Sequence, residues 1–108
     1  MTQGTVTVAA AGTADVIATP GANGRLHITR GVVSISVVGA AGTVVSLDDG
    51  TTTIWAVAAS DVSQLISHSF DWGEDGYKLD KNKALCLTVT GGDATAIATF
   101  VGFVFGNA

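Results

Sequence analysis

The largest group of carboxylates falls in one loop of the second half of the sequence: Asp71, Glu74, Asp75 and Asp80. Calcium takes several oxygen ligands that converge from one or two loops, but this spacing does not match an EF-hand, and Lys78 and Lys81 lie among the acids. Glycoside hydrolysis needs two carboxylates that flank the bond in a cleft, whereas these lie in turns. The pattern therefore favours a solvated loop over a cation site or a hydrolase.

Histidine and cysteine are too few for a zinc site of the usual kind. A structural zinc takes four ligands, usually N or S, and the chain offers His27, His68 and Cys86. We expect hydrogen-bonded, partly buried histidines, with a metal shared on a symmetry axis as the alternative. Cys86 has no base beside it in sequence and alternates with leucines, so we expect a small apolar filler rather than a nucleophile.

Aromatic side chains beside the acidic loop offer a binding platform. Trp72 and Tyr77 flank that loop, and together with Asp75 and Lys78 they form the predicted contact site for a glycan or a protein partner. The structural alternative is that Trp72 covers the end of the core or packs at a subunit contact. No glycine-rich phosphate loop precedes a helix, so neither nucleotide binding nor any other cofactor is predicted.

Composition narrows the classes of function. The chain has 108 residues and is 47% apolar but only 13% charged, against about 25% in an average domain. A soluble monomer usually carries more charge than this. We therefore expect an oligomer or a partner to cover part of the surface. The net charge is -4, and the basic residues form no run longer than Lys81-Asn82-Lys83. Binding to nucleic acid or to a membrane is therefore not predicted.

Targeting signals are not evident. No basic segment followed by a leucine-rich run opens the sequence, and no apolar run reaches the roughly 18 residues of a spanning helix. The single cysteine allows no internal disulfide. We expect the chain to stay in the cytoplasm or in a particle assembled there.

Strand and turn signals alternate along the whole chain and predict an all-β fold. Turns recur about every 8–12 residues, which is typical of a single-domain sandwich or jelly roll of about eight antiparallel strands. The longest strand, 25–38, changes the parity of its apolar positions after Arg30, which predicts a bulge at Gly31. Two further strands are predicted at 85–89, with the leucines inward, and at 94–105, with large apolar side chains at Ile97, Val101, Phe103 and Phe105.

Several segments together resemble a known class of proteins: Val44-Val45-Ser46-Leu47-Asp48-Asp49-Gly50-Thr51, Ser69-Phe70-Asp71, Gly76-Tyr77-Lys78-Leu79, Ala84-Leu85-Cys86-Leu87-Thr88-Val89 and Gly102-Phe103-Val104-Phe105. In this order they resemble the small jelly-roll or β-sandwich virion proteins of tailed bacteriophages, including capsid decoration (cement) proteins and minor head or tail proteins. The resemblance covers residues 25–105.

The resemblance implies a non-enzymatic homotrimer that sits on the major capsid protein and braces the head of a virion assembled in the host cytoplasm. It further implies that residues 1–24, a β-prone segment before the sandwich domain of residues 25–108, reach onto a neighbouring subunit, for example by adding a strand to its sheet. The alternative is a tail or fibre-tip module that binds surface glycans through Trp72, Tyr77 and the acidic loop.

Overall fold

The computed structural model describes residues 2–8, 12–38, 43–59, 66–90 and 94–105. Within these ranges the chain is all-β and contains no helix, hence none that could span a membrane. Nine strands follow one another: β1 (Thr2–Val8), β2 (Gly12–Ile17), β3 (Arg25–Val38), β4 (Thr43–Asp48), β5 (Thr53–Ala59), β6 (Ile66–Asp71), β7 (Tyr77–Lys78), β8 (Leu85–Thr90) and β9 (Ala94–Phe105). The bounds predicted for β3 and β9 are confirmed, and the two-residue β7 is the strand that the sequence did not predict.

The strands form two antiparallel sheets that pack as a sandwich. Sheet A has the order β1-β9-β3-β6, with β7 also paired to β3, and sheet B has the order β2-β8-β4-β5. Successive pairs are nested: the hairpin β4–β5 lies inside the pair β3–β6, which lies inside β2–β8 and then β1–β9. A long hairpin rolled up in this way has the connectivity of a jelly roll, so the predicted fold class is confirmed.

The innermost hairpin is closed by the turn Asp48-Asp49-Gly50. The Oδ1 of Asp49 accepts hydrogen bonds from the backbone N–H groups of Thr51 and Thr52, at 2.9 and 2.6 Å. Gly50 has a φ of 97°, which a residue with a side chain adopts only with strain. The short loop therefore follows from local sequence alone.

Strand β3 contains a bulge, but two residues before the predicted position. Its register with β9 shifts between Ile28 and Arg30, which leaves Thr29 as the extra residue. The Thr29 hydroxyl donates to the Val101 carbonyl oxygen at 3.0 Å and so holds the bulge in place. The bulge returns Val33 to the inner face that Ile28 occupies, which is the effect that the sequence predicted.

Gly31 therefore serves packing rather than the bulge. Its position faces inward, and a Cβ added there would overlap the ring of Phe100 on the neighbouring strand. Phe100 is fully buried and is the largest side chain at the centre of the core. A glycine at this point lets a phenyl ring lie directly against the backbone of β3.

The inward face of β9 is the one with the smaller residues. Ala96, Ala98 and Phe100 are fully buried, whereas Ile97 between them is 39% exposed. In β8, by contrast, the large apolar residues are the inward ones: Leu85, Leu87 and Val89 are buried as predicted. The odd-numbered apolar residues of β9 are consequently available on the outside of sheet A.

The segment before residue 25 contributes a strand to each sheet. β1 pairs with β9 and β2 pairs with β8 of the same chain. The two strands also adjoin each other and close one side of the sandwich, where Gly4 lies against the backbone of Val16. The reach of residues 1–24 onto a neighbouring subunit stays a prediction.

Candidate functional site

The four residues predicted as one contact site lie on two different faces. Tyr77 pairs with the buried Ile28 in β3 and points into the sandwich, and its successor Lys78 pairs with His27 and points outward. Trp72 packs with Tyr77, at 5.7 Å between ring centroids, while Asp75 lines a pocket together with Lys78. The four residues thus form two separate pairs: an inner pair, Trp72 and Tyr77, and an outer pair, Asp75 and Lys78.

The inner pair belongs to a continuous aromatic seam, which we define as Trp55, His68, Phe70, Trp72, Tyr77 and Phe100. Phe70 stacks on Trp72 at 5.1 Å and lies 5.5 Å from Phe100. Both Trp72 and Tyr77 are half-buried and pack against the core. The position of Trp72 matches the structural alternative raised from the sequence, in which it covers the core.

Trp55 connects the two sheets at the side opposite β1 and β2. It lies on the edge strand β5 of sheet B, and it stacks on His68 and meets Phe70 edge-on, both on the edge strand β6 of sheet A and both at 5.1 Å. Each aromatic pair contributes about 0.5–1.5 kcal/mol beyond the burial of its area. The seam is therefore a structural element that joins two edges.

The outer pair lines what we call the basic pocket: Asn23, Arg25, His27, Asp75, Lys78, Lys81 and Phe103. The pocket has a volume of about 590 Å³ and lies at one end of sheet A. Three adjacent strands supply its floor, because Lys78 of β7 and Phe103 of β9 are the register partners of His27 of β3. Pairing of distant strands thus assembles the pocket.

Backbone hydrogen bonds fix the loops around the basic pocket. Leu79 N–H donates to the Leu26 carbonyl oxygen at 2.9 Å, and Asn82 N–H donates to that of Gly24 at the same distance. Asn82 has a φ of 57°, a conformation that asparagine tolerates better than most residues. The loop that carries Lys81 is thereby tied to the start of β3 on either side of Arg25.

His27 is held rigidly at the floor of the basic pocket. Its Nδ1 lies 3.0 Å from the Asp75 carbonyl oxygen, and because a carbonyl only accepts, Nδ1 carries the proton. Its ring stacks on Phe103 at 4.7 Å and is only 7% exposed. The expectation of hydrogen-bonded, partly buried histidines holds for His27, which is hydrogen-bonded and more deeply buried than predicted; for His68 the predicted burial is wrong, since that side chain is exposed and contacts aromatic rings.

The remaining acids of the 71–80 loop form turns and a second depression. Asp71 Oδ1 accepts a hydrogen bond from Gly73 N–H at 2.9 Å, an arrangement that closes the turn. Asp71 and Glu74 line a depression of about 480 Å³ with Thr29, Arg30 and Gly73. Among the described residues, no group of three or more histidines, cysteines and carboxylates could hold a metal ion.

Cys86 is held as a thiol on the outer face of sheet B. Its pKa is raised to about 12, first by burial and then by the hydrogen bond from Sγ to Asp15 Oδ1 at 3.4 Å and by the charges of Asp15 and Asp48. A nucleophilic cysteine needs the opposite environment, one that favours the thiolate. The surroundings of Cys86 therefore favour an inert side chain that fills space.

The outer face of sheet A carries little charge. We define it by the outward positions of four strands that lie beyond the Thr29 bulge from the basic pocket: Gln3, Thr5, Thr7, Ile97, Thr99, Val101, Arg30, Val32, Ser34, Ser67, Ser69 and Asp71. Of these, only Arg30 and Asp71 carry charge, and they are register partners. Val32 and Ile97 are each 39% exposed, and Val32, Thr99 and Val101 help to line a shallow depression of about 360 Å³. This surface was not predicted from the sequence, because the alternation of β9 does not by itself show which of its residues face outward.

Comparison with known proteins adds no relative. No protein family matches the sequence, and no curated protein matches it. The surfaces described above are therefore the basis on which a function is proposed.

Proposed function

We propose that the chain is a non-enzymatic structural protein of a bacteriophage particle, a capsid decoration protein that binds the head as a homotrimer. The observation that carries the proposal is the outer face of sheet A, which is broad, β-branched and nearly uncharged. Jelly-roll connectivity supports it, because that architecture recurs in viral coat proteins.

The chemistry of this face suits a contact between protein surfaces. Val32, Ile97 and Val101 would gain about 25 cal/mol for each Å² of apolar area removed from water. The threonine and serine hydroxyls around them are short side chains that lose little conformational freedom when covered. A second copy of the chain is the proposed occupant, since a threefold arrangement covers the same face on every subunit.

Two measurements test the proposal. Light scattering on the purified chain should give three times the monomer mass of 10.8 kDa, and the trimer should resist a heat ramp. The protein should then sediment with empty heads of the phage that encodes it. A stable monomer that never associates with capsid shells contradicts the proposal.

A further inference from the structure

The basic pocket collects most of the positive charge of an acidic protein. Arg25, Lys78 and Lys81 are three of the five basic residues of a chain with a net charge of -4, and all three line this pocket. Asp75 is the one carboxylate among its lining residues. Cations gathered in a concave site raise the local concentration of anions, so the pocket is suited to a negatively charged ligand.

The three cations, Arg25, Lys78 and Lys81, have no carboxylate partner among the residues that the structure describes. Lys83, by contrast, lies near Asp49 and lowers the pKa of that carboxyl, although hydrogen bonds from the Thr52 and Thr51 backbone lower it more. Charges without an internal partner are available to bind one from outside.

An aromatic floor lies beneath these charges. The stacked rings of His27 and Phe103 are fixed by the hydrogen bond to Asp75 and by strand pairing. Phe103 is half-buried, so part of its ring is accessible from the pocket. Aromatic rings pack against the apolar face of a sugar ring, a contact that a bare inorganic ion does not use.

We propose that the basic pocket binds an anionic sugar, that is, a hexose with a carboxylate or a phosphate group. Arg25 and the lysines would hold the anionic group, since guanidinium binds such groups through paired hydrogen bonds. Asn23 and Asp75 carry the groups that hydrogen-bond hydroxyls, and Phe103 supplies the ring contact. A volume of about 590 Å³ falls within the usual range of small-ligand sites, about 300–1,000 Å³.

An acidic segment of a protein fits these observations less well. A lone carboxylate side chain needs neither hydroxyl partners nor a ring contact, so it would leave Asn23, Asp75 and Phe103 of the pocket unused. The inference stands on the pocket alone and does not rest on the decoration role, whose tests probe the trimer and the capsid.

The test is a titration of the ¹⁵N-labelled protein followed by NMR, with glucuronate and glucose 6-phosphate as probes. We expect shifts confined to the amides around residues 23–27, 75–81 and 103 with at least one probe, and the probe that binds distinguishes a carboxylate from a phosphate source. Lys78→Gln and Arg25→Gln should each weaken binding about tenfold, which corresponds to the loss of about 1.4 kcal/mol. Lys83→Gln removes the same charge outside the pocket and should leave binding unchanged.

Several results would overturn the proposal. One is the absence of shifts with both probes; another is equal affinity for acetate or inorganic phosphate, which would show that the pocket takes bare anions only. Equal weakening by Lys83→Gln would mean that overall charge, not the pocket, attracts the ligand. Lys78 is exposed, so Lys78→Gln should fold normally, and the dispersion of its NMR spectrum checks this.

Discussion

Phe100 fills the space that a side chain at Gly31 would need. The two residues are register partners on β9 and β3, and both face the core of the sandwich. A methyl group at position 31 would therefore overlap the Phe100 ring. The ring cannot shift away, because it also packs against Phe70 and Trp72.

Gly31→Ala should lower the free energy of unfolding by about 1–3 kcal/mol, the usual effect of overpacking a core. Urea unfolding measures it, with Val44→Ala on the outer face of sheet B as the control. Adding Phe100→Leu to Gly31→Ala should restore part of the loss, since the two positions compete for the same space. Additive effects of the two changes would contradict the packing account.

Trp55→Leu should destabilise the sandwich at its β5–β6 side by about 1–3 kcal/mol, because two aromatic pairs are lost while an apolar group is kept. The midpoint of thermal unfolding measures the effect. Val44→Ala, a change in sheet B away from the seam, is the comparison. If both variants melt at the same temperature, the seam does not hold the two edges together.

The pH dependence of stability should reveal the contribution of the Asp49 carboxylate to the free energy of unfolding. Hydrogen bonds from the Thr52 backbone, and then from Thr51, hold its pKa below the ordinary value of 3.8. A lowered folded-state pKa contributes stability that is present above pH 3.8 and is lost as the pH falls through the lower folded value.

In Asp49→Ala this contribution is absent, and two N–H groups lose their acceptor, so the variant should be less stable by about 1–3 kcal/mol at pH 7. The difference from the wild type should shrink as the pH is lowered from 5 toward about 2, by chemical denaturation at each pH. Asp71→Ala, another turn acid, controls for the loss of a charge. A difference that is constant across this range would show that Asp49 acts without its charge.

Cys86 should resist alkylation in the folded protein. With a pKa of about 12, almost no thiolate exists at pH 8, so iodoacetamide should label the thiol only as fast as the protein unfolds. Asp15→Asn should speed labelling, because a neutral amide removes the charge that helps to raise the pKa. Burial remains the larger cause, so the gain should be partial; fast labelling of the wild type would show that the thiol is accessible.

Val32→Asp and Ile97→Asp should dissociate the proposed trimer. Each places a charge in the outer face of sheet A, where a contact between copies would bury it without a partner. Ala58→Asp places the same charge on the outer face of sheet B and should leave the oligomer intact. Light scattering compares the three variants, and an oligomer that survives both changes in sheet A uses another surface.

Local pattern was enough to predict most strands. The limits of β3 and β9 and the inward leucines of β8 follow from β-branched residues, alternation and turn glycines. The position of the bulge did not follow, because Gly31 is required by Phe100, a residue on another strand. The signal in the sequence was a glycine at the point where the apolar positions change parity. That glycine allows close packing against Phe100 and does not form the bulge.

The basic pocket could not be predicted for a related reason. Arg25, Lys78 and Phe103 are far apart in sequence and meet only through the pairing of β7 and β9 with β3. A strand of two residues such as β7 is too short to show an alternating pattern. The sequence therefore did not reveal that Tyr77 and Lys78 point in opposite directions. Asp75 and Lys78 were named from the sequence only as part of a contact site around Trp72 and Tyr77, and that site stays a prediction.

The nesting of the hairpins also determines the order in which the protein can be completed during synthesis. β1 is translated before the other described strands, yet its partner β9 is the last of them to leave the ribosome. Pairing of Thr2 with Gly102 closes nearly the whole chain, and contacts of such high sequence separation make folding slow. Until β9 of the same chain has been made, β1 has no strand to pair with. On a polysome, β1 could meanwhile pair with the β9 of a neighbouring copy whose synthesis is further advanced. Exchange of β1 between copies would thus be decided by the timing of translation as well as by the final stability.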